Sequence, residues 1–106
     1  MSSFNVSIQT KLNNLALRLE EINALLSDPE IQGDQNRFRD LSIELSEISP
    51  VVEHYQQYID LKQEIDATNA MRQDDDSSIR EMANEEMPVL EKQFTEQQQQ
   101  IHKLYF

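Results

Sequence analysis

The chain has 106 residues, enough for one domain around one modest core, and a formal net charge of −11 from 20 acidic and 9 basic residues. That charge repels phosphate backbones, which argues against nucleic-acid binding as the main activity and favours a basic protein surface as partner. The absence of cysteine excludes a disulfide scaffold, a thiolate zinc site and a cysteine nucleophile.

One glycine and three prolines leave little turn chemistry, and no run of β-branched residues alternates with polar ones, so the expected fold is all-α. A first helix is predicted over about 6–26, with the seam Ile8, Leu12, Leu15, Leu19, Ile22 and Leu26, widened by Ala16 and Leu25. Asn5 or Ser7 caps its start. Ser27, Asp28 and Pro29 end it, and Asp28 with Pro29 can cap one extra turn through Ile31. Gly33 closes the connection and Asp34 caps the next helix.

That second helix, about 35–70, is the element the others pack on. Phe38, Leu41, Leu45, Ile48, Val52, Tyr55 and Ile59 step alternately by three and four residues, the a/d seam of a helix that lies along another, and after Ile59 the seam drifts through Tyr58, Leu61 and Ile65. At ~1.5 Å per residue it is on the order of 50 Å long. Pro50 interrupts it, either as a kink or as the first residue of a new helix capped by Ser49. Ile48 and Val52 keep one register across Pro50, which favours a bend. Asp74 to Ser78 form the second connection, with Asp76 or Ser78 as cap and Ser78 with Glu81 fitting a capping box. A third helix, about 77–105, aligns Ile79, Ala83, Met87, Leu90, Phe94, Ile101 and Leu104, with Gln97 as the one polar member of the seam and Pro88 as a second expected kink. The glutamine run 97–100 continues a solvated face. Together these predict an antiparallel three-helix bundle whose long, Pro-kinked second helix outruns the first, leaving a protruding two-helix arm.

Candidate chemistry is sparse. His54 and His102, the only histidines, lie far apart without the three or four converging ligands a zinc site needs. Asp74 to Asp76 lack the alternation, glycine and distant glutamate of a calcium loop, so helix capping is the better reading. General acid/base work needs a shifted carboxyl in a pocket, which a slim bundle does not offer. Arg37 and Arg39, flanking Phe38, are the densest basic spot. They either touch a partner or RNA or, more ordinarily, pair with Glu30, Asp34 or Asp40. Phe38, Tyr55 and Phe94 read as core aromatics. No catalytic, cofactor-binding or metal-ligating residue is assigned, and no enzyme activity is expected. The start MSSFNVSIQTK has no signal-peptide pattern, and no apolar run approaches the roughly 20 residues of a membrane helix, so a cytoplasmic protein is expected.

Three segments, in order, carry a resemblance: LLSDPE at 25–30; DQNRFRDLSIELSEISPVVEHY at 34–55; and DDDSSIREMANEEM at 74–87. Within them Asp34, Gln35, Arg37, Phe38, Arg39, Leu41, Ser42 and Glu44, then Pro50, Val51, Val52 and Tyr55, then Arg80, Glu81, Met82, Ala83, Glu85 and Glu86 resemble the N-terminal helical domain of bacterial peptide chain release factor 1. The sister factor that reads other stop codons has a similar domain but matches less well. Ser77 departs from the proline frequent there. The resemblance implies a domain that docks on the stalk base of the large ribosomal subunit, where a basic ribosomal protein is the natural partner for this acidic chain. It also implies further domains of the factor as partners. The P-x-T tripeptide that reads the stop codon and the G-G-Q loop that promotes hydrolysis are both absent from these 106 residues, so the chain is expected to be a domain only, and termination activity would belong to the full-length protein. No particular partner-binding residue is assigned. Self-association into a homodimer is an open expectation for the isolated domain. The alternative reading is a free-standing acidic helical adaptor or chaperone-like interaction protein.

Overall fold

Short-range side-chain caps decide where each helix starts. The computed structural model describes residues 3–106, and these form an all-α helical bundle. Four helices follow one another: α1 Val6–Leu26, α2 Pro29–Gln32, α3 Gln35–Met71 and α4 Ser77–Tyr105. The reading of 1–106 as one helical domain includes residues 1 and 2, which lie outside the described residues.

Asn5, with extended backbone, accepts the Ile8 amide at 2.9 Å and starts α1; of the two expected caps it is this one, not Ser7. Asp28 accepts the Glu30 amide at 2.9 Å, with Pro29 as the first residue of α2. Gly33 then turns the chain in right-handed geometry, with its amide donating to the Pro29 carbonyl at 3.0 Å. Asp34 accepts the Arg37 amide at 3.2 Å and opens α3. At α4 the cap is Asp76, which accepts from Ser78 at 2.8 Å, so the cap expected of either residue is Asp76 and not Ser78.

Both interior prolines are passed without a break: α3 runs through Pro50 and α4 through Pro88. Both rings lie on exposed faces, so the carbonyl each leaves without an amide faces water. Around Pro50, Ser46 and Ser49 donate their hydroxyls to the carbonyls of Ile43 (2.8 Å) and Leu45 (2.6 Å).

The chain divides into two compact units, Phe4–Glu53 and His54–Phe106, the latter with Ser3. In the first unit, α1 and the start of α3 run antiparallel over α2. Ile22, Ile31 and Leu41 are buried together, and Leu25, Leu26, Leu45 and Ile48 pack against them. In the second unit, the end of α3 and α4 form an antiparallel hairpin. Tyr58 and Phe94, each 1% exposed, meet with ring centroids 4.6 Å apart, and Tyr55 stacks on Tyr58 at 5.8 Å. Tyr55, Ile65, Ala83, Met87 and Ile101 are buried in the same unit.

The expected seams need three corrections. Along α3 Leu41, Tyr55, Tyr58 and Ile65 are buried as the seam and its drift predict, but Val51 is buried in place of Val52, and Val52 and Ile59 are half-buried. Each half of α3 buries the row that its own unit's partner requires, and spacing alone does not fix one register for both. Phe38 is 41% exposed, in the first turn of α3 and outside the Ile22–Ile31–Leu41 core. Leu104 is 47% exposed; three residues on from Ile101, it lies roughly 60° round the helix from that buried side chain.

Candidate functional site

The histidines are the first candidates for chemistry among the polar side chains. His54 is half-buried in the second unit, and its Nδ1 lies 2.7 Å from the Gln97 Oε1. The Gln97 amide nitrogen donates to the Gln57 Oε1 at 2.5 Å. Because Gln97 offers His54 only an acceptor, the proton between them sits on Nδ1. Gln97, the polar member of the predicted seam, therefore bridges α3 and α4 rather than leaving a gap between them. His102 lies against Phe106, with ring centroids 5.2 Å apart. The two histidines do not converge, and among the described residues no three His, Cys, Asp or Glu side chains are grouped to hold a metal ion.

Asp74, Asp75 and Asp76 act on the hairpin connection itself. Asp74 accepts the Asp76 amide at 2.8 Å and Asp76 accepts the Ser78 amide at 2.8 Å. Arg80 reaches back to the carbonyls of Asp74 (2.7 Å) and Asp75 (3.0 Å), and Arg72 donates to Asn84 at 2.8 Å. The aspartate and Arg80 bonds are local side-chain to backbone bonds of the kind found in turns and caps, while Arg72 to Asn84 joins the two helices side chain to side chain.

The one close cluster of opposite charge among the described residues is in the first unit. Arg18 meets Glu44 through two parallel hydrogen bonds, Nε to Oε2 at 2.6 Å and Nη2 to Oε1 at 2.8 Å, and also reaches Glu21 at 2.7 Å. The bond from Arg18 holds the Glu44 carboxyl below its ordinary value, and the same bond raises the Arg18 guanidinium further. Sequence reasoning missed this pair. The signal was present: Arg18 and Glu44 flank facing seam positions, where coiled helices place matched charges. In the second unit, burial, and then the nearby Tyr58, push the Tyr55 hydroxyl above its usual range. A buried, stacked phenol is core packing.

Arg37 and Arg39 do not make the expected pairs with Glu30, Asp34 or Asp40; among the described residues neither guanidinium is in an ion pair. Asp34 is engaged as the cap of α3. Arg39 and Asp40 are sequence neighbours, whose side chains point about 100° apart on a helix.

The second unit also has a shallow groove of about 370 Å³ lined by Gln57, Asp60, Leu61, Gln93, Glu96 and Gln97. With a single apolar lining residue, it lacks the apolar enclosure typical of a small-molecule site. The described polar groups cap, clamp and bridge the chain's own helices, and most of the carboxylates point to solvent. That defines a helical domain with an acidic outer surface.

The PCRF domain family matches residues 15–106, and the chain belongs to it. It is a helical domain of the peptide chain release factor type, a non-catalytic part of proteins involved in translation termination. No solved structure matches the chain. No helix among the described residues is long and apolar enough to cross a membrane.

Proposed function

We propose that this chain is the N-terminal, ribosome-docking helical domain of a cytoplasmic translation termination factor, bacterial release factor 1. Stop-codon reading and peptide release then belong to further domains of the factor, which carry the P-x-T and G-G-Q motifs. The partner in this reading is the stalk base of the large ribosomal subunit, through a basic ribosomal protein. Family membership supports the termination role. One observation supports docking by charge: among the described residues only Glu21 and Glu44, of 20 acidic residues, are in ion pairs. Most of the remaining carboxylates, those not engaged as caps like Asp28, Asp34, Asp74 and Asp76, are available to a cationic surface, where complementary charge speeds encounter and selects partners.

The test is co-sedimentation of the chain with purified large and small ribosomal subunits at about 50 and 300 mM salt. The expected result is weak binding to the large subunit only, falling steeply with salt. Equal binding to both subunits would sink the docking reading, and affinity unchanged by salt would sink its electrostatic part.

A further inference from the structure

On α4, Met82 is 62% exposed and Val89 57%, the two most exposed large apolar side chains of the second unit. They are seven residues apart, two helical turns or ~10.5 Å along the axis, and so lie on one stripe of the helix. Glu85 and Glu86 stand between them, and Gln93 and Glu96 continue the stripe; all four are exposed. The face that α4 turns toward α3 is a different one, made by Ala83, Met87 and Phe94. Met82 and Val89 therefore contribute nothing to the hairpin core. Among the described residues neither Glu85 nor Glu86 is in an ion pair.

Two apolar anchors at i and i+7, interleaved with unpaired carboxylates, are the complement of one kind of partner. We propose that this face of α4 receives a cationic amphipathic helix of a partner protein. Two of that helix's apolar side chains would seat on Met82 and Val89, and its Lys or Arg side chains would meet Glu85, Glu86 and Glu96. The charge of −11 disfavours an anionic occupant. Methionine's flexible thioether suits a surface that must mould to an incoming side chain. The proposal rests on the ribosome-docking reading for the partner's identity, not for the chemistry of the face.

The test uses the 106-residue chain, isotope-labelled for NMR, and two probes of equal charge. One is a synthetic helix with leucine at i and i+7 among lysines and arginines; the other is an oligolysine without apolar residues. The leucine peptide should perturb resonances along Met82–Glu96 and bind about tenfold tighter than oligolysine. Met82→Gln with Val89→Gln should remove that tenfold advantage and leave oligolysine binding unchanged. Glu85→Lys with Glu86→Lys should weaken both probes. All four positions are exposed, so circular dichroism should show the variants folded. Equal affinities for the two probes, or shifts centred elsewhere, would overturn the proposal. The same Gln variant is then sedimented with large subunits. Loss of binding supports the face as the one that docks. Retained binding by the folded variant overturns its use there while leaving ribosome docking intact. If the unaltered chain ignores subunits yet binds the leucine peptide on this face, the docking reading fails and the face inference stands.

Discussion

Arg18 and Glu44 bond through both ends of a guanidinium fork, geometry that fixes two helices in register as well as attracting charge. Since the folded-state Glu44 carboxyl lies below its ordinary value, its contribution to stability is complete above that value. It fades as pH falls through the lowered folded value. Glu44→Gln should therefore melt below the unaltered chain at pH 7, with a gap that stays constant above the ordinary carboxylate range and closes as pH falls through the lowered folded value. Thermal melts across that range check it; a gap that widens in acid would mean the pair acts otherwise. The Tyr58–Phe94 contact makes a larger claim. Phe94 is 1% exposed and its ring faces a buried tyrosine 4.6 Å away, so Phe94→Ala should cost about 3–5 kcal/mol in urea unfolding. A loss under about 1 kcal/mol would mean that the hairpin closes over the cavity.

At the scale of elements, what was legible in the sequence was whatever depends on residues within one turn of each other. Asn5, Asp28 with Pro29, and Asp34 could be read as caps because capping is a bond between near neighbours. Tyr58 was legible as a point the seam drifts through, but Val51 could not be picked over Val52, because that choice depends on the helix packed alongside. Arg37 and Arg39 likewise looked paired on proximity in sequence, but Asp34 is taken up as the cap of α3 and helix geometry points the neighbouring Arg39 and Asp40 apart. The inward face of α4 was legible, since Ala83, Met87, Phe94 and Ile101 of the predicted seam are buried, whereas the degree to which Met82 and Val89 stand exposed is read only from the structure. Pro50 is a case the sequence left open. The helix passes through it, with the ring on an exposed face. Pro50→Ala restores an amide for the Ser46 carbonyl and removes the ring's clash, against a small loss from a freer unfolded chain. The expected outcome is a gain of about 1–2 kcal/mol in urea unfolding. A loss would show that the ring shapes α3 for its neighbours.

For the molecule as a whole, charge sets fold and partner in opposition. With 20 acidic and 9 basic residues, and the acidic excess concentrated on α3, α4 and the connections, self-repulsion works against the compact state. Salt at about 0.1 M screens charges beyond about 10 Å, which relieves long-range repulsion but leaves the hydrogen-bonded Arg18–Glu44 pair largely intact. The melting temperature should therefore rise by several degrees between about 10 and 300 mM sodium chloride, at about 4–8 °C per kcal/mol for a domain of this size. Binding to a cationic surface should fall over the same range. The opposite signs make the experiment decisive about cause. If affinity drops while the fold becomes firmer, unfolding cannot account for the lost binding, and the screened attraction must. A melting temperature that falls with salt would mean that attractive pairs outweigh the net repulsion, and the surface carboxylates would then be less available to a partner than their exposure implies.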